Sequence, residues 1–350
     1  MSAGSVPGRT REVRLASRPR GLPTETDFEV AEATLDPPAE GEVLLRTIWL
    51  SVDQYMRGRM NDTRSYAPPF ALGEAMAGGG VGEVVESRHP GLSPGDVVTG
   101  RVRWREHDVV TAGAAGHLER VDPSAAPLPA HLGVLGMPGM TAYVGLLDIG
   151  RLQAGETVFV SGAAGAVGSA AGQIAKIKGA TVIGSAGGQA KTARLRELRF
   201  DHAIDYKAAR SEPGGLSRAL AEAAPDGVDV YFDNVGGEHL RAALSAMNDF
   251  GRIVMCGAIS QYNATEPTPG PPNLALAVGR RLTLQGFLVG DHAERRPAFV
   301  ADMTRWVAEG RVSYDQTVVD GLEQAPSALI GLFGGANTGK MLVRVGADHA

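Results

Sequence analysis

Cysteine is almost absent from this chain: Cys256 is the one thiol in 350 residues. A single cysteine forms no internal disulfide and cannot build a four-cysteine zinc site. The histidines, at 89, 107, 117, 131, 202, 239, 292 and 349, show no paired metal-ligand spacing, so the chemistry reads as metal-free. No apolar run approaches the roughly 18 residues of a membrane span. The first residues, MSAGSVPGRTREVRLASRP, lack the apolar core of a secretory signal, and about the first ten read as disordered. There is no long basic stretch, and the net charge is −5 with a pI near 5.9, which argues against nucleic acid as a partner. A cytoplasmic chain is the expectation.

Glycine, by contrast, is abundant, at 47 residues, so glycine spacings count only in context. Residues 157–194 supply that context. Thr157–Val160 is a β-branched and aromatic run that reads as a buried strand. Gly162, Gly165 and Gly168 follow at three-residue spacing. A proline-free, Ala-rich segment from Val167 to Lys178 reads as a helix, and Ala180–Gly184 as a second strand. Strand, glycine turn, helix and strand form a βαβ unit able to hold a dinucleotide diphosphate at a helix N-terminus. A glycine-rich turn in another α/β protein is the competing reading.

The second strand is followed by Gly184-Ser185-Ala186-Gly187-Gly188-Gln189-Ala190-Lys191. An NAD site usually carries an acid here to bind the ribose 2′-hydroxyl. None is present, and Lys191 is available to a 2′-phosphate, which favours NADPH over NADH. A solvated lysine at a helix start is the alternative.

At this length two domains are expected. The first ~130 residues carry short β-like runs (Val43–Ser51, Val81–Glu86, Asp96–Val98, His107–Thr111) broken by Pro-Gly and Ser-Pro-Gly-Asp turns. From about Leu132 to Tyr314 strands and helices alternate. After the glycine-turn unit, strands are expected at Ala203–Asp205, Val228–Phe232, Arg252–Cys256 and Leu282–Phe287. Helices are expected at Ala190–Leu198, Gly215–Ala224, Glu238–Met247 and Pro297–Glu309. This is an α/β pattern, a doubly wound parallel sheet. The tail, Gln316–Val319 and Met341–Val345 around a helix near Gln324–Phe333, returns to β and is expected to rejoin the first domain. Arg103, Arg105 and the acids near them read as solvated surface. Met56, Met137 and Met140 read either as an adaptable apolar wall or as core. Pro269-Gly270-Pro271-Pro272 reads as a loop, either a lid or a plain connector.

Several motifs carry a resemblance over nearly the whole length. They are Ser51-Val52-Asp53-Gln54-Tyr55-Met56-Arg57, Leu135-Gly136-Met137-Pro138-Gly139-Met140-Thr141-Ala142-Tyr143, Ser161–Gly168, and Phe232-Asp233-Asn234-Val235-Gly236-Gly237. Cys256-Gly257-Ala258-Ile259-Ser260-Gln261-Tyr262-Asn263, Gln285-Gly286-Phe287 and Gly339-Lys340 complete the set. With these the chain resembles the zinc-independent branch of the medium-chain dehydrogenase/reductase superfamily. Within it, the likeness is to prostaglandin reductases, leukotriene hydroxydehydrogenases and 2-alkenal (double-bond) reductases.

The resemblance implies a GroES-like β-rich domain of residues 1–131 with 315–350, a Rossmann domain of residues 132–314, and a cleft between them. It places Gly165, Ala166, Val167 and Gly168 on the diphosphate, and Lys191 and Tyr206 on the adenine ribose phosphate. Asn234 falls near the cofactor ribose. Cys256, Gly257, Ala258, Ile259 and Ser260, through to Tyr262, line the nicotinamide side. Phe287, Leu288 and Val289 lie beside it, and Asn337 closes the site from the tail. The family reaction is NADPH-dependent reduction of a carbon–carbon double bond conjugated to a carbonyl. An enzyme for it needs a donor aimed at the enolate oxygen and a proton source for the α-carbon. Tyr262 is the first candidate and Tyr55 the second; packing roles are the alternatives for both. The implied partners are an enone or enal substrate and a second copy of the chain, with Gly286–Val289 read as a strand either at the dimer edge or buried. A quinone reductase of the same branch and a non-enzymatic NADPH-binding protein remain open, while the lack of zinc ligands argues against an alcohol dehydrogenase.

Overall fold

The computed structural model describes residues 8–112, 118–124 and 126–348. The opening seven residues of the segment expected to be disordered, and His117 and His349, lie outside them. The chain divides into two compact units, one comprising the residues up to Leu132 and those from Gln316 onward, the other Gly133–Asp315.

The first unit carries β1 (Arg9–Leu15), β2 (Phe28–Thr34), β3 (Glu42–Ser51), the short helix α1 (Met56–Arg59), β4 (Ala77–Ser87), β5 (Val97–Arg103), β6 (His107–Thr111) and β7 (Glu119–Arg120). The second carries α2 (Met137–Val144), β8 (Thr157–Val160), α3 (Ala166–Ile177), β9 (Thr181–Ala186), α4 (Gln189–Glu197), β10 (His202–Asp205), α5 (Tyr206–Ala209), α6 (Gly215–Ala223), β11 (Val228–Asp233), α7 (Gly237–Ala246), β12 (Met247–Met255), α8 (Leu276–Gly279), β13 (Thr283–Gly286) and α9 (Arg296–Ala308). The tail adds β14 (Gln316–Asp320), α10 (Ala325–Gly334) and β15 (Lys340–Arg344).

In the first unit the main sheet runs β14-β15-β3-β4-β5-β7, with β6 also on β3, so the tail inserts antiparallel beside β3 through Val343↔Leu50. The core beneath it gathers Val43, Leu45, Met56, Trp104, Leu329 and Val343. Met56 belongs to this core, and Met140 is buried in α2 of the second unit, whereas Met137 is exposed. Arg103 and Arg105 are not plain solvated surface. Arg105 is buried and ion-paired with the buried Glu12 and with Asp108, and Arg103 donates to Asp108, itself buried. Charges so removed from water persist only when paired. Glu12 is buried beside Thr10, Val13 and Leu15 in a strand rich in charge, which is why β1 has no clean apolar alternation to read.

The sheet of the second unit is parallel, in the order β10-β9-β8-β11-β12-β13. This is the doubly wound order, with its crevice where strand order reverses between β8 and β11. Val158, Phe159 and Val160 are fully buried, as expected for a central strand covered on both faces. The Phe159 and Tyr231 rings stack at 5.0 Å across β8 and β11. The expected strand Gly286–Val289 does not form. β13 ends at Gly286, and a 3-10 turn starts at Val289. β13 is the sheet's terminal strand, and Thr283, Gln285 and Gly286 on it are exposed. Among the described residues no helix is long and apolar enough to cross a membrane.

Candidate functional site

The site of the second unit is built where β8, β9, β11 and β12 end. Gly162, at φ +59°, turns the chain after β8. Gly165 then precedes α3 with no side chain capping the helix. A Cβ on Gly168 would stand 2.4 Å from the Gly162 carbonyl oxygen, so only glycine lets the helix start this close to the turn. Free backbone N–H groups at this end, with the positive end of the helix dipole, make a cradle for an anion. Gly165, Ala166, Val167 and Gly168 stand at this helix start.

A buried polar hub holds the neighbouring loops. Asp233, at the end of β11, is buried, and its Oδ1 accepts from the Tyr231 hydroxyl (2.6 Å) and from the N–H groups of Val235 (2.9 Å) and Gly236 (2.7 Å). It also accepts from Ser161 Oγ at 3.2 Å. Ser161 in turn accepts from the Asn234 N–H at Oγ (3.0 Å), and its carbonyl accepts from Asn234 Nδ2 (2.7 Å). Part of the Asn234 side chain, expected near a ribose, is thus committed to fixing the glycine turn. The Asp233 carbonyl accepts from both Cys256 and Gly257 N–H groups at 2.9 Å, and Ser260 Oγ donates to the Val235 carbonyl at 2.6 Å. Cys256 to Ser260 are therefore laced to the loop after β11. Burial, then the nearby Asp233, pushes the Cys256 thiol up to about 12, so it is protonated and inert at neutral pH.

Tyr262 follows the 3-10 turn Ile259–Gln261. Its phenol oxygen accepts from the Ala258 N–H at 3.2 Å. Burial raises its pKa. The phenol is therefore neutral, its oxygen is held by a backbone donor, and its proton is available to an acceptor. Phe287 extends past β13, with its ring over Gly145, where a Cβ would meet it at 3.0 Å. Leu288 is partly exposed, and Val289 opens the next turn.

At the end of β9 stands Lys191, in the first turn of α4 and half-buried, with its pKa lowered by burial and then by Lys207. Tyr206 begins α5, its ring edge-on to His239 at 5.1 Å. No acid occupies residues 184–191.

Tyr55 and Asn337 belong to the first unit. Tyr55 precedes α1 and packs against that unit's core; burial, then Asp53, raises its pKa. Asn337 is buried, and its Nδ2 donates to the Gly339 carbonyl at 2.7 Å. Among the described residues no group of three or more His, Cys, Asp or Glu clusters as a metal site would. Two residues of this region carry no assigned role from the sequence: Asp233, which stands in the Phe232–Gly237 motif as a polar residue ending an apolar strand, and Lys207, the neighbour of Tyr206.

Two family models match the chain. One, the N-terminal domain of oxidoreductase, covers residues 11–118; the other, zinc-binding dehydrogenase, covers residues 166–307. The NADPH-dependent curcumin reductase of Escherichia coli is 44% identical over 351 residues, covering 99% of each chain. The NADP+-dependent 2-alkenal reductase of Nicotiana tabacum is 41% identical over 343 residues, covering 97% of this chain and 98% of the relative. Among solved structures, CurA from Vibrio vulnificus in complex with NADPH superposes with a TM-score of 0.90 at 43% identity, over 97% of this chain and all of that one.

Proposed function

The chain belongs to the zinc-independent branch of the medium-chain dehydrogenase/reductase family, the branch of the prostaglandin and 2-alkenal reductases, and from that premise we propose that it reduces the conjugated carbon–carbon double bond of α,β-unsaturated ketones and aldehydes with NADPH. The residues present fit the cofactor. The uncapped start of α3, closed on its turn by Gly168, suits a diphosphate. The acid-free end of β9 with Lys191 and Tyr206 suits a 2′-phosphate and disfavours NADH. Asn234 and the Cys256–Ser260 segment would hold the ribose and nicotinamide end, with Phe287, Leu288 and Val289 beside it. When bound, NADPH supplies the hydride that the substrate's β-carbon accepts.

The remaining chemistry falls to Tyr262. As the double bond is reduced, negative charge gathers on the substrate's carbonyl oxygen, and a preformed neutral donor there lowers the barrier. The observation that carries this reading is the held, buried phenol: the Ala258 N–H fixes the Tyr262 oxygen in place, and burial keeps the hydroxyl protonated, so it can donate to the enolate oxygen or the α-carbon. Cys256, with its thiol pushed up to about 12, takes no part in proton transfer. We assign Tyr55 and Asn337 to substrate and cofactor binding respectively, not to chemistry.

The proposal includes a homodimer. β13 is the terminal strand of its sheet, and the segments beside it expose Val278 (81%) and Phe250 (65%), the kind of apolar edge a two-fold partner covers. Light scattering reporting a monomer mass at micromolar concentration contradicts the dimer. A panel of enones, enals and quinones with NADPH, followed at the nicotinamide absorbance band, tests the activity. Turnover of enones and enals well above quinones supports the double-bond reductase, the reverse order favours a quinone reductase, and no turnover leaves an NADPH-binding protein.

A further inference from the structure

Two strand ends meet beside the turn that opens α4. Ala186 ends β9 and pairs in register with Asp205, which ends β10. Asp205 Oδ1 accepts from the N–H groups of Gly188 (2.9 Å), Lys207 (3.0 Å) and Ala208 (3.3 Å). That carboxylate pins the start of α5 against the Gly187-Gly188 turn. The side chains of α5 then lie across the turn: a Cβ on Gly187 would stand 2.8 Å from Lys207 Cε and 3.1 Å from Tyr206 Cε1. The Tyr206 ring is braced in place, with the Arg210 guanidinium 5.1 Å from its centre and the His239 ring edge-on.

The Lys207 stem therefore crosses the same turn from which Lys191 rises, three residues after Gly188. The two ammonium groups repel, and Lys207 lowers the pKa of Lys191 in addition to the effect of burial. Bringing two like charges onto one turn is unfavourable in the empty protein, and a bound anion reverses the sign. A phosphate monoester carries about −1.5 to −2 at neutral pH, so one lysine neutralises only part of it.

We propose that Lys207 is a second cation of the adenosine 2′-phosphate site, acting with Lys191, and that Gly187 is glycine so that the Lys207 stem can reach across to it. This rests on the NADPH reading above. Lys191 is the half-buried member, set by α4; Lys207 is exposed, and its stem lies over the glycine. Selectivity for NADPH over NADH is thus shared between two elements rather than held by one residue.

The test is calorimetric titration of the whole protein with 2′,5′-ADP and with 5′-AMP, for the unmodified chain, Lys207→Met and Lys207→Arg. Exposure of Lys207 keeps folding out of question. Lys207→Met is expected to lose about tenfold in affinity for 2′,5′-ADP, the scale of one charge-assisted contact, and nothing for 5′-AMP. Lys207→Arg is expected to keep most of the affinity. A second readout needs no ligand: the Lys191 ammonium, followed by NMR, should titrate at higher pH in Lys207→Met. Full 2′,5′-ADP affinity in Lys207→Met, an equal loss for 5′-AMP, or an unmoved Lys191 titration overturns the proposal. If the unmodified protein itself fails to prefer 2′,5′-ADP, the NADPH reading is wrong and this proposal falls with it. That failure is read from a different sample than the failure of Lys207 alone.

Discussion

The Lys340 ammonium lies 2.9 Å from the Asp53 carboxylate, joining the Ser51–Arg57 motif to the Gly339-Lys340 motif across 287 positions of sequence. Lys340 is buried and also donates to the carbonyls of Val52 (2.7 Å) and Met341 (3.1 Å), while Ser51 Oγ donates to the other Asp53 oxygen. The pair clamps the tail strand β15 onto β3 immediately before Tyr55.

Breaking that pair from one side strands a charge. Lys340→Met is expected to destabilise the protein by about 3–5 kcal/mol, the usual cost of an uncompensated buried partner. Urea unfolding checks it. The double variant Lys340→Met/Asp53→Asn should recover part of the loss, and a change within 0.5 kcal/mol in the single variant would mean the pair carries no weight.

Lys191→Ala should weaken NADPH by about tenfold or more, corresponding to roughly 1.5–3 kcal/mol for a charge-assisted contact, and leave NADH nearly unchanged. Fluorescence titration of both nucleotides measures it. Equal affinities for NADPH and NADH in the unmodified protein would sink the cofactor assignment.

Much of the second unit is legible in the sequence because its strands are buried on both faces. Thr157–Val160 reads as a continuous apolar run and is β8 to the residue. The glycine turn is legible for the same reason that it works: its residues have few substitutes at Gly162 and Gly168. β1 is not, because two of its four buried residues are polar, Thr10 and Glu12, and Glu12 is satisfied by Arg105 more than ninety positions away, a pair that no local pattern marks. β13 is shorter than its apolar run suggests. Phe287 leaves the strand and packs on Gly145 instead, a tertiary contact that periodicity does not report. Lys207 carries no local mark either, since its approach to Lys191 depends on β10 lying beside β9.

His239 gives the pH dependence. It is buried in α7, and burial pulls its pKa down to about 4, with Glu238 opposing and Arg210 adding. A histidine depressed in the folded state is held neutral there, so the unfolded chain takes up more protons below about 6.5. Stability from this group is present above pH 6.5 and is lost as pH falls toward 4, by up to about 3 kcal/mol. Urea unfolding across that window should show a smaller loss in His239→Gln than in the unmodified protein. Parallel curves for the two would contradict a neutral buried imidazole.

Tyr262→Phe should lower kcat, by as much as about 100-fold if no other donor reaches the oxygen, with NADPH binding unchanged. Water or a ribose hydroxyl can take over the proton and reduce the effect. Tyr55→Phe is the matched comparison, expected to raise KM for bulky enones more than it lowers kcat. Full kcat in Tyr262→Phe across several enones, where hydride transfer limits the rate, removes Tyr262 from the chemistry.

The most direct test of the central claim follows the hydride itself. NADPH carrying deuterium at the transferable C4 position is given to the protein with an α,β-unsaturated ketone, and the product is read by NMR. The account predicts a saturated ketone with deuterium on the former β-carbon and the carbonyl intact. Deuterium on a carbinol carbon, with the double bond retained, would contradict it.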